Sequence, residues 1–600
     1  MCGFLGTISK LNFELDTFIN ANELQTCRGP DETICIKSSD FEFLNNLNFN
    51  SAFIFNRLSI IDLSKEASQP MVNKKFKTLV MFNGEIFNHR TLRQELINEG
   101  VDFYTSHSDT EVVLNGLSHF GIDFINKLIG QFSIFFIDSI SKKVFLIRDR
   151  LGQKPLFFSL NQNELSFSTN LKSLVKAIKN KEVDIEQLTN YLNLGVVPSP
   201  NTIIKNCFKV KPGEIIEIDL NNFNSKKTIY WDPKNYLDER QFNNEEFINL
   251  FENAVNIRLE ADVPLATFVS GGLDSTAIVK AINKNSPINS FSMNFENEFY
   301  NEKKWSSIVS EKYKTIHTEK TLSSNLFDYD LDEIINSLDE PYADISYIPT
   351  YLLSKEISKS FKVALSGDGG DELFFGYTRS QKELNKRSNY IFGSLNNFLY
   401  NIYPGILGTG TLFSSNFYDI KKSYSAYFLD NKLIKLLNIK DYTNFEKNYF
   451  YNHQNKVKEI SLLEYKFYLS EMMMLKIDRA SMANSLEVRS PFVDHRLVEL
   501  IMSSENSYLD SRNSKQLIKK YLKEDFSENF LNRPKMGFSF DIENWVFDNL
   551  GHINETLLSG NVILGMNKNI LNNLSIRKSR INAHRIWKLY LLESYLNSIK

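Results

Sequence analysis

Cysteine is scarce in this sequence: there are four among 600 residues, at Cys2, Cys27, Cys35 and Cys207, and no CxxC pair. That excludes a disulfide framework and argues against a zinc site, so each thiol needs its own account. Cys27, Cys35 and Cys207 are read as small buried side chains. Long apolar runs are missing too. The nearest approach, Tyr390 to Phe413, is interrupted by Asn396, Asn397, Asn401, Pro404 and several glycines, which a membrane span rarely carries together. The leading MCGFLGTISK has no charged region ahead of an apolar run and no cleavage site, so it does not read as a signal peptide, and a cytoplasmic location is expected. Nor does charge of one sign prevail: 69 Lys and Arg face 72 Asp and Glu, with no polybasic run. A nucleic-acid partner is therefore disfavoured, no membrane partner is read, and small-molecule substrates are expected.

What remains has globular proportions, 42% hydrophobic and 24% charged. Six hundred residues exceed what one core normally spans, so two domains are expected. Short runs rich in Phe, Ile and Val recur early, at Ser51–Asn56, Thr78–Phe82, Phe132–Ile137 and Val144–Ile147, with Gly, Asn and Asp between them. They predict stacked antiparallel sheets with covering helices. After Tyr230–Pro233 the period changes: Phe247, Leu250, Phe251, Ala254 and Val255 share one helical face. Strands are then predicted at Leu265–Val269, Ile288–Phe295 and Val363–Leu365, alternating with helices from Ser275 and Glu302, the signature of a doubly wound α/β domain. The reading is a first domain over 1–210, a linker over 211–236 and a second domain over 237–600.

Position two carries its own chemistry. Methionine ahead of a small residue is normally removed, which would place the Cys2 thiol beside a free α-amine. An α-amine of pKa roughly 7.7 to 8.0 can take the proton of a thiol of pKa roughly 8.5, so no partner histidine is needed.

Downstream stand Arg28-Gly29-Pro30-Asp31, Asn56-Arg57-Leu58-Ser59-Ile60-Ile61-Asp62, Asn83-Gly84-Glu85-Ile86-Phe87-Asn88, Ser108-Asp109-Thr110-Glu111 and Arg148-Asp149-Arg150-Leu151-Gly152. In this order they closely resemble the class II glutamine amidotransferase domain, an N-terminal-nucleophile hydrolase with an αββα sandwich. The resemblance implies that Cys2 is the nucleophile and that the Asn83 side chain and Gly84 amide form the oxyanion hole. It also implies that Arg57 grips the α-carboxylate of glutamine, that Leu58, Ser59, Ile60 and Ile61 complete that wall, and that Glu85 and Asp109 hold the α-ammonium. Two positions depart from the pattern: Cys27 replaces a common histidine, and Thr169-Asn170 replaces a usual Ser-Glu.

After the predicted strand Leu265–Val269 lies Ser270-Gly271-Gly272-Leu273-Asp274-Ser275. A strand, a glycine-rich turn and a helix N-terminus together present backbone N–H groups to phosphate oxygens. No Gly-Lys-Ser/Thr ending is present, so this is not the Walker form. It resembles instead the pyrophosphate loop of ATP pyrophosphatases. A second such turn, Ser366-Gly367-Asp368-Gly369-Gly370-Asp371-Glu372, follows Val363–Leu365. By resemblance, Val269, Met293, Ser366 and Gly367 line the nucleotide, Asp274 and Asp371 hold Mg²⁺, and Lys515 stabilises charge at the adenylate. Asp368 stands where some relatives have a glutamate implicated in adenylation or ammonia deprotonation.

The order of glutaminase and adenylating halves resembles the glutamine-hydrolysing asparagine synthetase family. Leu475–Arg479, Ser485–Phe492, Arg533–Phe538 and the final helix around Trp587 extend the likeness towards the C-terminus. The resemblance implies ATP and Mg²⁺ as cofactors, aspartate as acceptor, an internal ammonia tunnel and a homodimer as the usual assembly. Amidotransferases that act on a sugar carboxylate or another acid in surface-polysaccharide biosynthesis share every one of these motifs.

Overall fold

The computed structural model describes residues 2–238, 240–283, 288–296, 302–323, 325–386, 390–414, 419–505, 514–533, 540–560 and 562–599. Pro534–Phe538 of the Arg533–Phe538 motif lie outside the described residues. The first half is built from β1 (Gly3–Ser9), β2 (Glu32–Lys37), β3 (Asn50–Arg57), β4 (Met71–Asn73), β5 (Thr78–Ile86), β6 (Gly130–Asp138), β7 (Lys143–Arg148), β8 (Phe157–Leu160), β9 (Glu164–Ser168), β10 (Phe208–Lys209), β11 (Glu214–Asp219) and β12 (Asn224–Ile229). They form two six-stranded sheets, ordered β10-β8-β9-β1-β3-β2 and β12-β11-β7-β6-β5-β4. The strand pairings in both are antiparallel.

The layering follows from alternation. On β6, Phe135 and Ile137 face the seam between the sheets, where they meet Phe4, Phe53, Leu79 and Phe167. Phe132, Ile134 and Phe136 point the other way and meet Val112, Val113 and Leu117 of the helix Asp109–Phe120. Leu5, Ala52 and Ile54 of the other sheet are covered by Phe18 and Ala21 of the helix Leu15–Asn22. The result is the expected αββα sandwich. Gly6 makes the seam close: a Cβ there would stand 2.1 Å from the Phe167 ring.

In the second half β13 (Leu265–Phe268), β14 (Asn289–Phe295), β15 (Ile316–Leu322), β16 (Val363–Leu365) and β17 (Glu487–Arg489) form a parallel sheet ordered β15-β14-β13-β16-β17. This is the doubly wound α/β arrangement, enlarged by helices that end with Arg580–Ile599. The predicted amphipathic helix is Asn244–Asn256, burying Phe247, Phe251, Ala254 and Val255, with Leu250 half-buried. Among the described residues no helix is long and apolar enough to cross a membrane.

Two expectations change. The stretch read as a linker, 211–236, contains β11 and β12, a hairpin that extends the second sheet of the sandwich. Every residue of β12 is exposed, so its sequence carries no inward apolar alternation to announce a strand. Of the three cysteines read as buried, only Cys207 is; Cys27 and Cys35 are exposed. Cys35 lies on β2, an edge strand whose alternate residues face solvent.

Candidate functional site

The first constellation arises at strand ends. Gly3 of β1 pairs with Asn56 of β3, so Cys2 and Arg57 emerge at one edge, and β5 of the facing sheet brings Asn83, Gly84 and Glu85 to the same place. The Cys2 N–H donates to Asn83 Oδ1 at 3.0 Å. Asn83 Nδ2 donates to Ser133 Oγ at 3.2 Å, which uses one of the two hydrogens an amide nitrogen carries. Gly84 has φ +153°, and a Cβ there would lie 2.0 Å from the Gln131 carbonyl oxygen, so only glycine fits. Burial pushes the Cys2 thiol up, against the Leu58 amide and the Arg57 guanidinium, which pull it down. A thiol that resists ionisation needs a base beside it to act as a nucleophile.

Arg57 is oriented by its own segment: Nη1 donates to the Ser64 carbonyl at 2.8 Å and Nη2 to the Asp62 carbonyl at 2.5 Å. Ser59 N–H donates to Asp31 at 2.7 Å, while the Ile60 carbonyl accepts from Asp262 N–H at 2.9 Å. Leu58, Ile60 and Ile61 pack on Val363 and Met482, so this wall is also a contact with the second half. Burial, reinforced by Asp109, holds the Glu85 carboxyl well above its usual range, and burial raises Asp109 as well. Glu85 Oε1 has no hydrogen-bond donor among the described residues. Two buried acids of this kind favour a cation between them.

Sequence reasoning missed the residues that tie this pocket to the other half. Arg28 donates through Nε to the Cys2 carbonyl at 3.3 Å, and its Nη1 and Nη2 clasp both Asp478 oxygens at 2.8 and 3.1 Å. Arg489, wholly buried on β17, reaches Glu85 Oε2 at 3.3 Å, while its Nε bonds Glu487 at 2.5 Å. These partners stand some 400 or more positions apart, with |i−j| of 450 and 404, so no local pattern announces them.

The second constellation sits where the strand order reverses. β13 and β16 are neighbours, and the loops Ser270–Ser275 and Ser366–Glu372 leave their C-terminal ends side by side, the usual ligand crevice of such a sheet. Glycines let the loops touch: a Cβ on Gly367 would be 2.8 Å from the Ser275 nitrogen, and one on Gly370 2.5 Å from the Asp274 carboxyl carbon. The helix begins at Leu273, so Asp274 and Ser275 lie in its first turn. Gly271 has φ +69°, and Gly272 N–H donates to Ser270 Oγ at 3.1 Å. Val269, Met293 and Ser366 are buried around the loops.

Lys515 closes the group, with its ammonium bonded to Asp274 and 2.5 Å from Asp371 Oδ1. Burial pulls this ammonium down, and the two carboxylates more than offset it, holding it above its ordinary range. Lys515 has φ +57°, a strained backbone for a residue with a Cβ and one often kept at functional positions. Asp368 Oδ1 stands 3.6 Å from Lys476 Nζ. Among the described residues no group of three or more His, Cys, Asp or Glu converges as a metal cage. Two hard carboxylates suffice for Mg²⁺, however, because that ion keeps waters and takes its remaining oxygens from phosphate, so Asp274 and Asp371 fit it.

A glutamine amidotransferase domain model matches residues 1–231, and an asparagine synthase model matches residues 246–594. The chain belongs to the asparagine synthase family. Among curated relatives, the glutamine-hydrolysing asparagine synthetase 1 of Bacillus subtilis is 30% identical, over 91% of this chain and 88% of its own. A putative asparagine synthetase of Mycobacterium tuberculosis is 28% identical, over 88% of this chain and 84% of its own. A solved glutamine phosphoribosylpyrophosphate amidotransferase from B. subtilis covers 61% of this chain and 81% of its own at 12% identity; its TM-score of 0.29 lends no weight. Membership of the asparagine synthase family brings ATP-dependent ligation and a glutamine-hydrolysing domain to this chain.

Proposed function

We propose that the chain is a glutamine-dependent asparagine synthetase, with its division between β12 and the helix Asn244–Asn256. Cys2, its proton taken by the exposed α-amine, attacks the side-chain amide carbon of glutamine. Arg57 and the wall Leu58–Ile61 hold the α-carboxylate, and Glu85 and Asp109 the α-ammonium. Asn83 and Gly84 donate to the oxyanion, where each donor is worth about 2.7–4 kcal/mol of transition-state stabilisation. Ammonia leaves, and water hydrolyses the thioester to glutamate.

In the second half Ser270–Ser275 cradle the phosphates of ATP, with Val269, Met293, Ser366 and Gly367 around the nucleotide. The side-chain carboxylate of aspartate attacks the α-phosphorus, giving an acyl-adenylate and pyrophosphate, with Lys515 balancing the charge. Ammonia, carried internally because water would protonate it, attacks the acyl carbon with Asp368 as proton acceptor, and asparagine and AMP leave. Asp274 and Asp371 would hold Mg²⁺, which neutralises phosphate charge when bound.

The observation that carries this reading is Lys515 between Asp274 and Asp371 at the switch point, in one chain with the Cys2–Asn83 pair. The names of the relatives support aspartate as acceptor. Purified protein given ATP, glutamine and aspartate should form asparagine, AMP and pyrophosphate in equal amounts. AMP formation that ignores aspartate but responds to a sugar carboxylate would overturn the acceptor and leave the ligase standing.

A further inference from the structure

We infer that Arg533 is an anion-binding residue of the nucleotide site, placed to receive the pyrophosphate end of ATP beside the Ser270–Ser275 loop. The inference rests on the adenylating reaction proposed above and adds a group to it. The Arg533 side chain is only 6% exposed. Its guanidinium lies over the Trp305 ring, 5.3 Å from the centroid, with the Phe530 ring at 5.7 Å. Its Nε and Nη1 are buried and find no hydrogen-bond acceptor among the described residues. Glu302 comes no nearer than 3.9 Å to Nη1, beyond hydrogen-bond reach. The third nitrogen points at the loop: a Cβ on Gly272 would be 3.5 Å from Nη2.

A guanidinium taken out of water with N–H groups unused is unfavourable unless an anion takes them up, and phosphate oxygens accept from its planar fork in pairs. The setting is built rather than incidental. Trp305, on which Arg533 lies, also abuts the loop from the side, since a Cβ on Gly271 would stand 2.5 Å from the Trp305 carbonyl carbon. The two cations of the site therefore differ. Lys515 is already engaged by Asp274 and Asp371, whereas Arg533 feels Glu302 and Asp274 only at a distance and its Nε and Nη1 bond neither among the described residues.

The reaction supplies what Arg533 lacks. As the acceptor carboxylate oxygen bonds to the α-phosphorus, the bond from that phosphorus to the bridging oxygen breaks, and its electron pair stays on the departing pyrophosphate. The charge gained there falls on the group that Arg533 faces.

The test uses the full chain with Arg533→Met and Arg533→Lys, reading the affinity for inorganic pyrophosphate with Mg²⁺ by calorimetry, and KM for ATP against kcat for AMP formation. Arg533→Met should weaken pyrophosphate binding about ten- to a hundredfold, with a matching rise in KM for ATP. Arg533→Lys should recover part of that loss, because the charge remains and the fork is gone. Glutamine hydrolysis without ATP should be unchanged in both, and thermal melting shows whether each has folded; if the Met variant has not, the Lys variant decides by its own partial loss. Unaltered pyrophosphate affinity in folded variants, or no pyrophosphate binding by the parent chain, overturns the inference. Parent protein that binds pyrophosphate yet forms no AMP with any acid would sink the adenylating function and leave the anion site in place.

Discussion

The two pockets answer their ligands with opposite charge and opposite construction. The pocket around Cys2 is assembled from strand ends and the start of the helix Asp109–Phe120, within about the first 110 residues, and burial holds its acids, Glu85 and Asp109, above their usual range. The pocket at the β13/β16 switch point is assembled from loops between Val269 and Arg533, and its guanidinium, Arg533, keeps Nε and Nη1 without a hydrogen-bond acceptor among the described residues. Each pocket thus carries the complement of the charge it is proposed to hold, an amino acid's ammonium in one and a polyphosphate in the other. Rigid strands suit a covalent attack on a fixed carbon, and glycine-rich loops suit a ligand that the backbone must approach closely.

The sharpest way to break that comparison is to silence the pockets one at a time. Cys2→Ala should abolish glutamine-driven product by a factor on the order of 10⁴ or more while ammonia-driven product persists. Lys515→Met should do the reverse, sparing glutamine hydrolysis while AMP formation falls by about 10²- to 10³-fold. A joint loss in either variant would mean that the pockets do not act separately.

A smaller effect probes the seam. Asp478→Asn leaves the buried Arg28 guanidinium short of its counter-charge, which costs about 3–5 kcal/mol. A drop in the urea midpoint, together with a raised KM for glutamine, is expected. An unchanged midpoint would show that the fork contributes little.

The smallest effect is one of pH. His495 is pushed down to about 3 by burial, then by Arg150 of the first half, against Asp494. Between that value and the ordinary 6.5 the unfolded chain binds a proton that the folded chain refuses, so folding stability falls as pH drops below 6.5. Glu372, raised to about 7 by burial and then by Asp371, works the other way over part of the same range. The clean readout is therefore a variant: His495→Gln should remove about 2 kcal/mol of the change between pH 6.5 and 5, seen as converging urea midpoints.

How much could be read from the sequence follows from where each signal resides. β16 was predicted residue for residue, and β14 to within one, because apolar runs of that length are local. The helix after the glycine-rich loop starts two residues earlier than expected, at Leu273, which draws Asp274 into its first turn. β12 was invisible, being wholly exposed, and β17 is three residues of which two are charged. The pocket residues up to Asp109 were legible through their motifs, and the structure brings Cys2, Arg57, Asn83, Gly84, Glu85 and Asp109 together. Arg28, Arg489 and Arg533 were not assigned roles, because their meaning lies in partners hundreds of positions away or in an aromatic bed supplied by another helix.

Arg28 has one more consequence. The same guanidinium steadies the carbonyl of Cys2 and clasps Asp478. The peptide link between the halves is thus not their only inheritance in common. A recombination that exchanged one half for a cousin's would have to bring a matching carboxylate with it, or the nucleophile would lose the strut behind it. The two halves should therefore be passed on as a pair, and a gene that divides them into separate polypeptides should still encode both ends of this fork.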